Sequence, residues 1–268
     1  MAGCAAKLCR VPLIARTRHV LAPISSPFSY NAFPRVIFAC SEAIRDQLVE
    51  QKVSPEKIVV QSTGIDEQRF RFSEKDRQEV RRRYQISDQD ILVGNVAFLR
   101  HYKGHNFIVR TAAGMPENYK FMIVGGGGDR PLIESWIRDA GVENRFILTG
   151  HQEDPEKYFS AFDIIFFSSY EAEGISQSYI QGLLYGIPLL VCLTPSILEP
   201  LNLVQTCELI DYDDLEASCR GLATLAKKLE RDEQATQRQR DAISRKYGLR
   251  TMMKTIVRVY GEHGIHLN

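Results

Sequence analysis

The chain has 268 residues, with 34 basic against 33 acidic side chains, a formal net charge of +1, 44% hydrophobic and 25% charged residues. That composition describes a globular protein long enough to bury an ordinary core in one large domain or two small ones. The near-neutral balance, without a basic stripe, excludes nucleic-acid binding driven by phosphate neutralisation, and no apolar stretch approaches the ~20 residues of a membrane span.

Taken in chain order, short apolar runs predict strands over 12–15, 36–39, 58–61, 91–96, 121–124, 146–148, 164–167, 189–192 and 208–210. Several are unbroken Val/Ile/Phe/Leu runs, the pattern of strands buried on both faces of a parallel sheet. Between them lie helical patterns. Ser41 can cap a helix through Ile44, Leu48 and Val49, and Ser73 with Asp76 resembles a capping box for a helix ending near Tyr84. Further helices are predicted over 106–113, 131–140, 155–161, 176–185 and 215–231, and the charged stretch 227–246 reads as a solvated helical face. The alternation argues for an α/β fold of parallel sheets covered by helices.

Residues 1–62 hold two or three strands, too few for an independent α/β domain, whereas 63–245 hold about six strand-helix units and 246–268 form a helical tail. The first piece therefore reads as a fragment and the second as whole. The six cysteines form no C-x-x-C pair, which points to buried free thiols in a reducing compartment rather than a metal site. Lys7 and Arg10 interrupt the apolar core that a signal peptide needs. The expected location is cytoplasmic, and peripheral contact with the inner face of a membrane stays open.

In an open parallel sheet, ligands bind beyond the carboxyl ends of the strands, so residues that directly follow a strand are the informative ones. After 91–96 come Arg100, Lys103 and Gly104, two cations and a glycine suited to a diphosphate, or an ordinary surface pair. After 121–124 comes a run of four glycines, including Gly125 and Gly126, which can present backbone amides to a ligand or simply turn the chain. His151 follows 146–148 and can edge a nucleobase pocket, or be a loop histidine without function. After 164–167 come Glu173, Gly174, Ile175 and Ser176, then a helix carrying Gln181. The start of that helix is a natural anion seat, and a carboxylate beside it suits sugar hydroxyls better than phosphate; otherwise Glu173 is a charge partner of the helix start. No Gly-x-Gly-x-x-Gly opens a helix with an acidic residue ~20 positions on, which counts against a nicotinamide-dependent oxidoreductase.

Together the four loops resemble the family 4 (group 1) retaining glycosyltransferases, most specifically in the stretch from Glu173-Gly174 to Gly186-Ile187-Pro188, with Lys103-Gly104 and the glycine run in the same order. The resemblance implies an α/β fold of GT-B type: a complete Rossmann-like carboxy-terminal domain plus a remnant of the amino-terminal one. It implies retaining transfer of a sugar from a nucleotide-diphosphate sugar to a glycan or lipid-linked acceptor, without cofactor or metal. Lys103 and Arg100 would hold the diphosphate, with Gly104, Gly125, Gly126, His151, Gly174, Ile175 and Ser176 around the donor. Glu173 would hold the transferred sugar, Gln181 the ribose, and His19 would lie at the reaction centre. The chain departs from the family pattern in three ways: Gln181 stands where the family has a second glutamate, Arg100 is offset from the usual arginine, and the first strand-helix units of the acceptor domain are absent. Truncation opens the alternative of a catalytically silent nucleotide-binding or partner-binding module.

Overall fold

The computed structural model describes residues 2–170 and 174–265. Two sheets organise it, and every pairing between their named strands is parallel. The first has the order β1-β2-β3, with β1 at Ala15–Arg18, β2 at Val36–Ala39 and β3 at Ile58–Val60. The second has the order β6-β5-β4-β7-β8-β9. Its strands are β4 Ile91–Val96, β5 Tyr119–Val124, β6 Phe146–Gly150, β7 Ile164–Phe167, β8 Leu189–Cys192 and β9 Cys207–Ile210.

The second sheet is apolar on both faces because each strand feeds two cores. Leu92, Met122, Ile165, Phe167, Leu189 and Val191 join one cluster; Val93, Phe121, Ile164, Phe166, Leu190 and Cys192 join the other. Adjacent residues point to opposite sides of a pleated sheet, so continuous apolar sequence and two-sided burial are one fact. The first core is covered by α4 (Glu74–Arg83), α7 (Pro155–Ala161), α8 (Gln177–Leu183) and α11 (Glu233–Tyr247). The other lies under α5 (His105–Ala113) and α10 (Leu215–Leu225), and α6 (Arg130–Asp139) adds a small cluster with α5.

Most sequence-predicted elements stand within a residue or two of their observed bounds, with informative exceptions. β1 lies three residues later than expected: its residues Ala-Arg-Thr-Arg are largely exposed at a sheet edge and carry no apolar signal. Ser41 caps α3 (Glu42–Glu50) through the Ile44 amide. Ser73 caps α4 through the Asp76 amide at 3.1 Å, but the Ser73 amide donates to the Ser160 hydroxyl, so the box is closed by another helix. The helix expected to run to residue 231 ends at Leu225. The charged stretch after it is more than a solvated face: Ala235, Gln239, Ile243 and Tyr247 form a buried stripe of α11. Arg240 donates to the carbonyls of Phe70, Leu184 and Glu67 at 2.6–2.9 Å. Cys4 and Cys9 are exposed, contrary to the expectation of buried thiols; only Cys40 and Cys192 are fully buried.

The chain crosses between the sheets twice at one seam. Ile65 donates to the Tyr247 carbonyl and accepts from the Leu249 amide, both at 2.9 Å. α12 (Leu249–Glu262) then runs back to the first sheet, where Val259 packs on Val36 and Phe38. Among the described residues no helix is long and apolar enough to cross a membrane.

Two buried polar features make measurable contributions. Asp163 accepts from Arg77 at 2.6 Å, from Arg81 at 2.9 Å and from the Leu92 amide at 2.7 Å, pinning α4 to the starts of β4 and β7. Replacing it by alanine strands a buried guanidinium, and Asp163→Ala is expected to lower unfolding free energy by about 3–5 kcal/mol in urea titrations. His105 opens α5 with 2% exposure; burial, with Lys103 nearby, pushes its imidazole down to about 4. The unfolded chain takes up this proton near pH ~6.5, the folded chain only near pH 4, so the unfolded state binds more protons between these values and stability rises with pH across them. Acidification from pH ~7 to ~4 should therefore remove about 3 kcal/mol more stability from the wild type than from His105→Gln. Parallel unfolding midpoints for the two proteins across that range would contradict the assignment.

Candidate functional site

Strand order reverses between β4 and β7: from this pair the chain runs outward to β5 and β6 on one side and to β8 and β9 on the other. Such a reversal sends the following loops apart and leaves a crevice at the carboxyl ends. The β4–β7 ladder covers only Val93↔Ile164 and Gly94↔Ile165. Beyond it the Asn95 side-chain amide donates to the Phe166 carbonyl at 2.8 Å, bridging the strands where their backbones part.

A cleft of about 770 Å³ opens there, bounded on its far side by residues that follow β1. The loop after β4 contributes Phe98, Tyr102 and Lys103. Lys103 is 7% exposed, and its carbonyl accepts from the Ser168 hydroxyl at 2.6 Å, joining the loops that follow β4 and β7. Gly104 makes this approach feasible. It sits at φ +70°, a conformation costly for any residue with a Cβ, and a Cβ there would stand 2.1 Å from the Ser168 carbonyl oxygen. Gly125 and Gly126 line the cleft from the loop after β5, where the Gly125 amide donates to the Gly150 carbonyl at 3.0 Å. His151 and Gln152 line it from the loop after β6.

The last wall is the turn that opens α8, with Gly174, Ile175, Ser176, Gln177, Ser178 and Gln181 facing the cleft. Ser176 occupies the N-cap position, yet its hydroxyl bonds to the Ser178 hydroxyl at 3.0 Å and not to the helix backbone. In α3, α4, α10 and α11 a serine or aspartate caps the first turn; in α8, as in α5, α6, α7 and α12, no side chain of the described residues does. Among the described residues lining the cleft there is a lysine and there are two histidines, and none is a carboxylate. That lining favours an anion.

The sequence-predicted residues divide as follows. Lys103, Gly125, Gly126, His151, Gly174, Ile175, Ser176, Gln181 and His19 share the cleft. Gly104 supports it from behind. Arg100 does not join them: its side chain is exposed outside the lining, and its carbonyl accepts from the Lys103 amide at 3.0 Å, so it starts a tight turn instead of reaching inward. Glu173 lies outside the described residues. On one side of it the Tyr170 ring stacks on Tyr212 with centroids 4.0 Å apart. On the other, a Cβ on Gly174 would stand 2.1 Å from the His19 carbonyl oxygen, so that position seats the His19 loop against the turn that opens α8. His19 follows β1, and its Nδ1 is 3.1 Å from Cys40 Sγ. Among the lining residues that sequence reasoning did not single out are Phe98, Tyr102, Gln152, Gln177 and Ser178. The signal was present for Phe98, a phenylalanine two residues beyond a strand end that is left 66% exposed.

Comparison with known proteins follows the same lines. The family model for glycosyl transferases group 1 matches residues 76–242. A 2-deoxystreptamine glucosyltransferase of Streptomyces kanamyceticus is 28% identical over 102 residues, 36% of this chain and 26% of that protein. The O-antigen biosynthesis glycosyltransferase WclY of Escherichia coli is 23% identical over 148 residues, 55% of this chain and 40% of its own length. The chain thus matches well under two thirds of either curated relative. A crystal structure of HepE from Anabaena in complex with UDP-glucose superimposes with a TM-score of 0.86 at 18% identity, covering 97% of this chain and 75% of that one; at that identity the likeness is one of fold. It is the α/β, two-sheet GT-B architecture, and with a family model matching well over half of its residues the chain belongs to the group 1 glycosyltransferases.

Proposed function

We propose that the cleft binds a nucleotide-diphosphate sugar and that the chain transfers its sugar, with retention at the anomeric carbon, to a glycan or lipid-linked acceptor. The observation that supports this reading is the meeting of Lys103, the first turn of α8 and the Gly125-Gly126 backbone in one cleft. A diphosphate needs charge-assisted donors and amide hydrogens, and both converge there. UDP-glucose, bound by HepE in its crystal structure, is the first donor to try. Gln181, in the cleft lining, is assigned to a ribose hydroxyl, with less strength than a carboxylate would give. Glu173, beside the turn, is assigned to the sugar hydroxyls.

During transfer the bond from the anomeric carbon to the phosphate oxygen breaks as the acceptor oxygen attacks from the same face. The acceptor proton passes to the leaving phosphate. Lys103 and the α8 amides stabilise the negative charge that develops on the diphosphate. His19 and Val20 border the cleft on the side of the first sheet, from which the acceptor would approach.

A second reading, a module that binds nucleotide without transferring sugar, draws on the small first sheet, where β1 is an edge strand among the described residues and Leu8 and Phe28 of the same part of the chain are 84% and 69% exposed. The two readings separate experimentally. Calorimetry should find that Lys103→Ala weakens UDP-glucose binding about 10- to 100-fold, the loss of one charge-assisted contact. Glu173→Ala should bind UDP as wild type does but lose the extra thermal stabilisation that the sugar-bearing donor gives over UDP. A donor that stabilises both proteins equally removes Glu173 from the site; saturable UDP binding with no transfer to any offered acceptor selects the second reading.

A further inference from the structure

His19, Cys40 and Thr63 each follow a strand of the first sheet. Arg18 pairs with Ala39 across β1 and β2, and Ala39 with Val60 across β2 and β3. The ladder then continues one residue past the strands, with the Cys40 amide on the Arg18 carbonyl at 3.1 Å and the Gln61 amide on the Ala39 carbonyl at 2.8 Å. His19 and Cys40 are therefore lateral neighbours on adjacent strands ~4.8 Å apart, close enough for side-chain contact. Sγ and Nδ1 stand 3.1 Å apart. Cys40 is 5% exposed, with the Thr63 side chain near enough to act on its thiol, and it touches His19 without itself lining the cleft.

We propose that Cys40 is a positioning residue that fixes the imidazole of His19: the Thr63 hydroxyl donates to Cys40 Sγ, the thiol donates to His19 Nδ1, and the imidazole proton is held on Nε2. The inference rests on the transfer reading above only for the use made of that proton. Burial raises the Cys40 thiol above its ordinary value, against the opposing pull of the Thr63 bond, so the group stays a neutral S–H donor at physiological pH. A neutral imidazole whose Nδ1 accepts must carry its proton on Nε2. His19 then acts in the cleft as a hydrogen-bond donor, suited to a sugar hydroxyl or a phosphate oxygen, and not as the acceptor of the attacking proton. This division agrees with passing the acceptor proton to the leaving phosphate. The second-domain side holds the loop in place, since the His19 carbonyl is packed where a Cβ of residue 174 would be.

The test is the tautomer itself, read on the full chain by long-range nitrogen–proton correlation of the histidine rings near pH ~8.5, where an ordinary imidazole is neutral. The expected result is a single Nε2–H tautomer for His19, kept in Cys40→Ser and replaced by a tautomer mixture in Cys40→Ala. In transfer assays Cys40→Ala should lose about tenfold in kcat, the scale of one hydrogen bond, with donor KM unchanged and recovery in Cys40→Ser. A wild-type His19 protonated on Nδ1, or the same spectrum and kcat in Cys40→Ala, overturns the proposal. If either variant fails to fold, the wild-type spectrum alone decides. Absence of transfer by the wild type would refute the transfer reading while leaving the tautomer result intact.

Discussion

The site depends on the way β4 and β7 part company. Two parallel strands that run side by side through Gly94 and Ile165 must separate, because their following helices cover opposite faces of the sheet. The gap would leave backbone groups unpaired in the centre of the protein, at a cost of roughly 1–3 kcal/mol for each unsatisfied group. Asn95 closes the inner part with its amide, and Ser168 closes the outer part by bonding the Lys103 carbonyl. What remains between these two ties is the crevice, with a nearly buried lysine at its rim. The crevice is thus a product of sheet topology.

The first sheet has a different relation to its surroundings. Its own core is small, built around Tyr30, Ile37, Ile44 and Leu48. Much of its support comes from elsewhere in the chain: α12 covers Val36 and Phe38, Glu199 beyond β8 accepts from the Glu42 amide at 3.1 Å, and Gly174 receives the His19 carbonyl. Glu199 also pairs with Lys246 at 3.0 Å, linking that contact to the seam where the chain crosses between sheets. The relative positions of the two halves of the cleft are thus set by a few polar and steric contacts rather than by one continuous core.

Much of this was legible in the sequence because two-sided burial writes itself directly into residue type. The runs at 91–96, 164–167 and 189–192 read as buried strands and are strands, and in a doubly wound sheet the loops after such strands are the candidate site. Lys103 and the Gly174–Ser176 turn followed from that rule and from the resemblance together. The failures have equally physical causes. β1 is polar because it is an edge, so hydrophobicity placed it early. Arg100 looked useful as a charge, but a tight turn at 101–103 spends its backbone and leaves its side chain outside. α11 looked merely solvated because its buried face includes the polar Thr236 and Gln239, the latter's amide donating to the Leu183 carbonyl at 2.6 Å. Cys40 carried no sequence signal at all; its pairing with His19 follows from strand register, which composition does not encode.

The central claim is that cationic and amide donors from both sides of the β4–β7 crevice take hold of one diphosphate. The most direct measurement is a titration of the isotope-labelled protein with UDP, following backbone amide resonances. Saturable shifts should concentrate in 97–104, 125–126 and 174–178, with His19 and Gln181 at their edge. Shifts confined to any other surface, or none at millimolar UDP, would contradict the account.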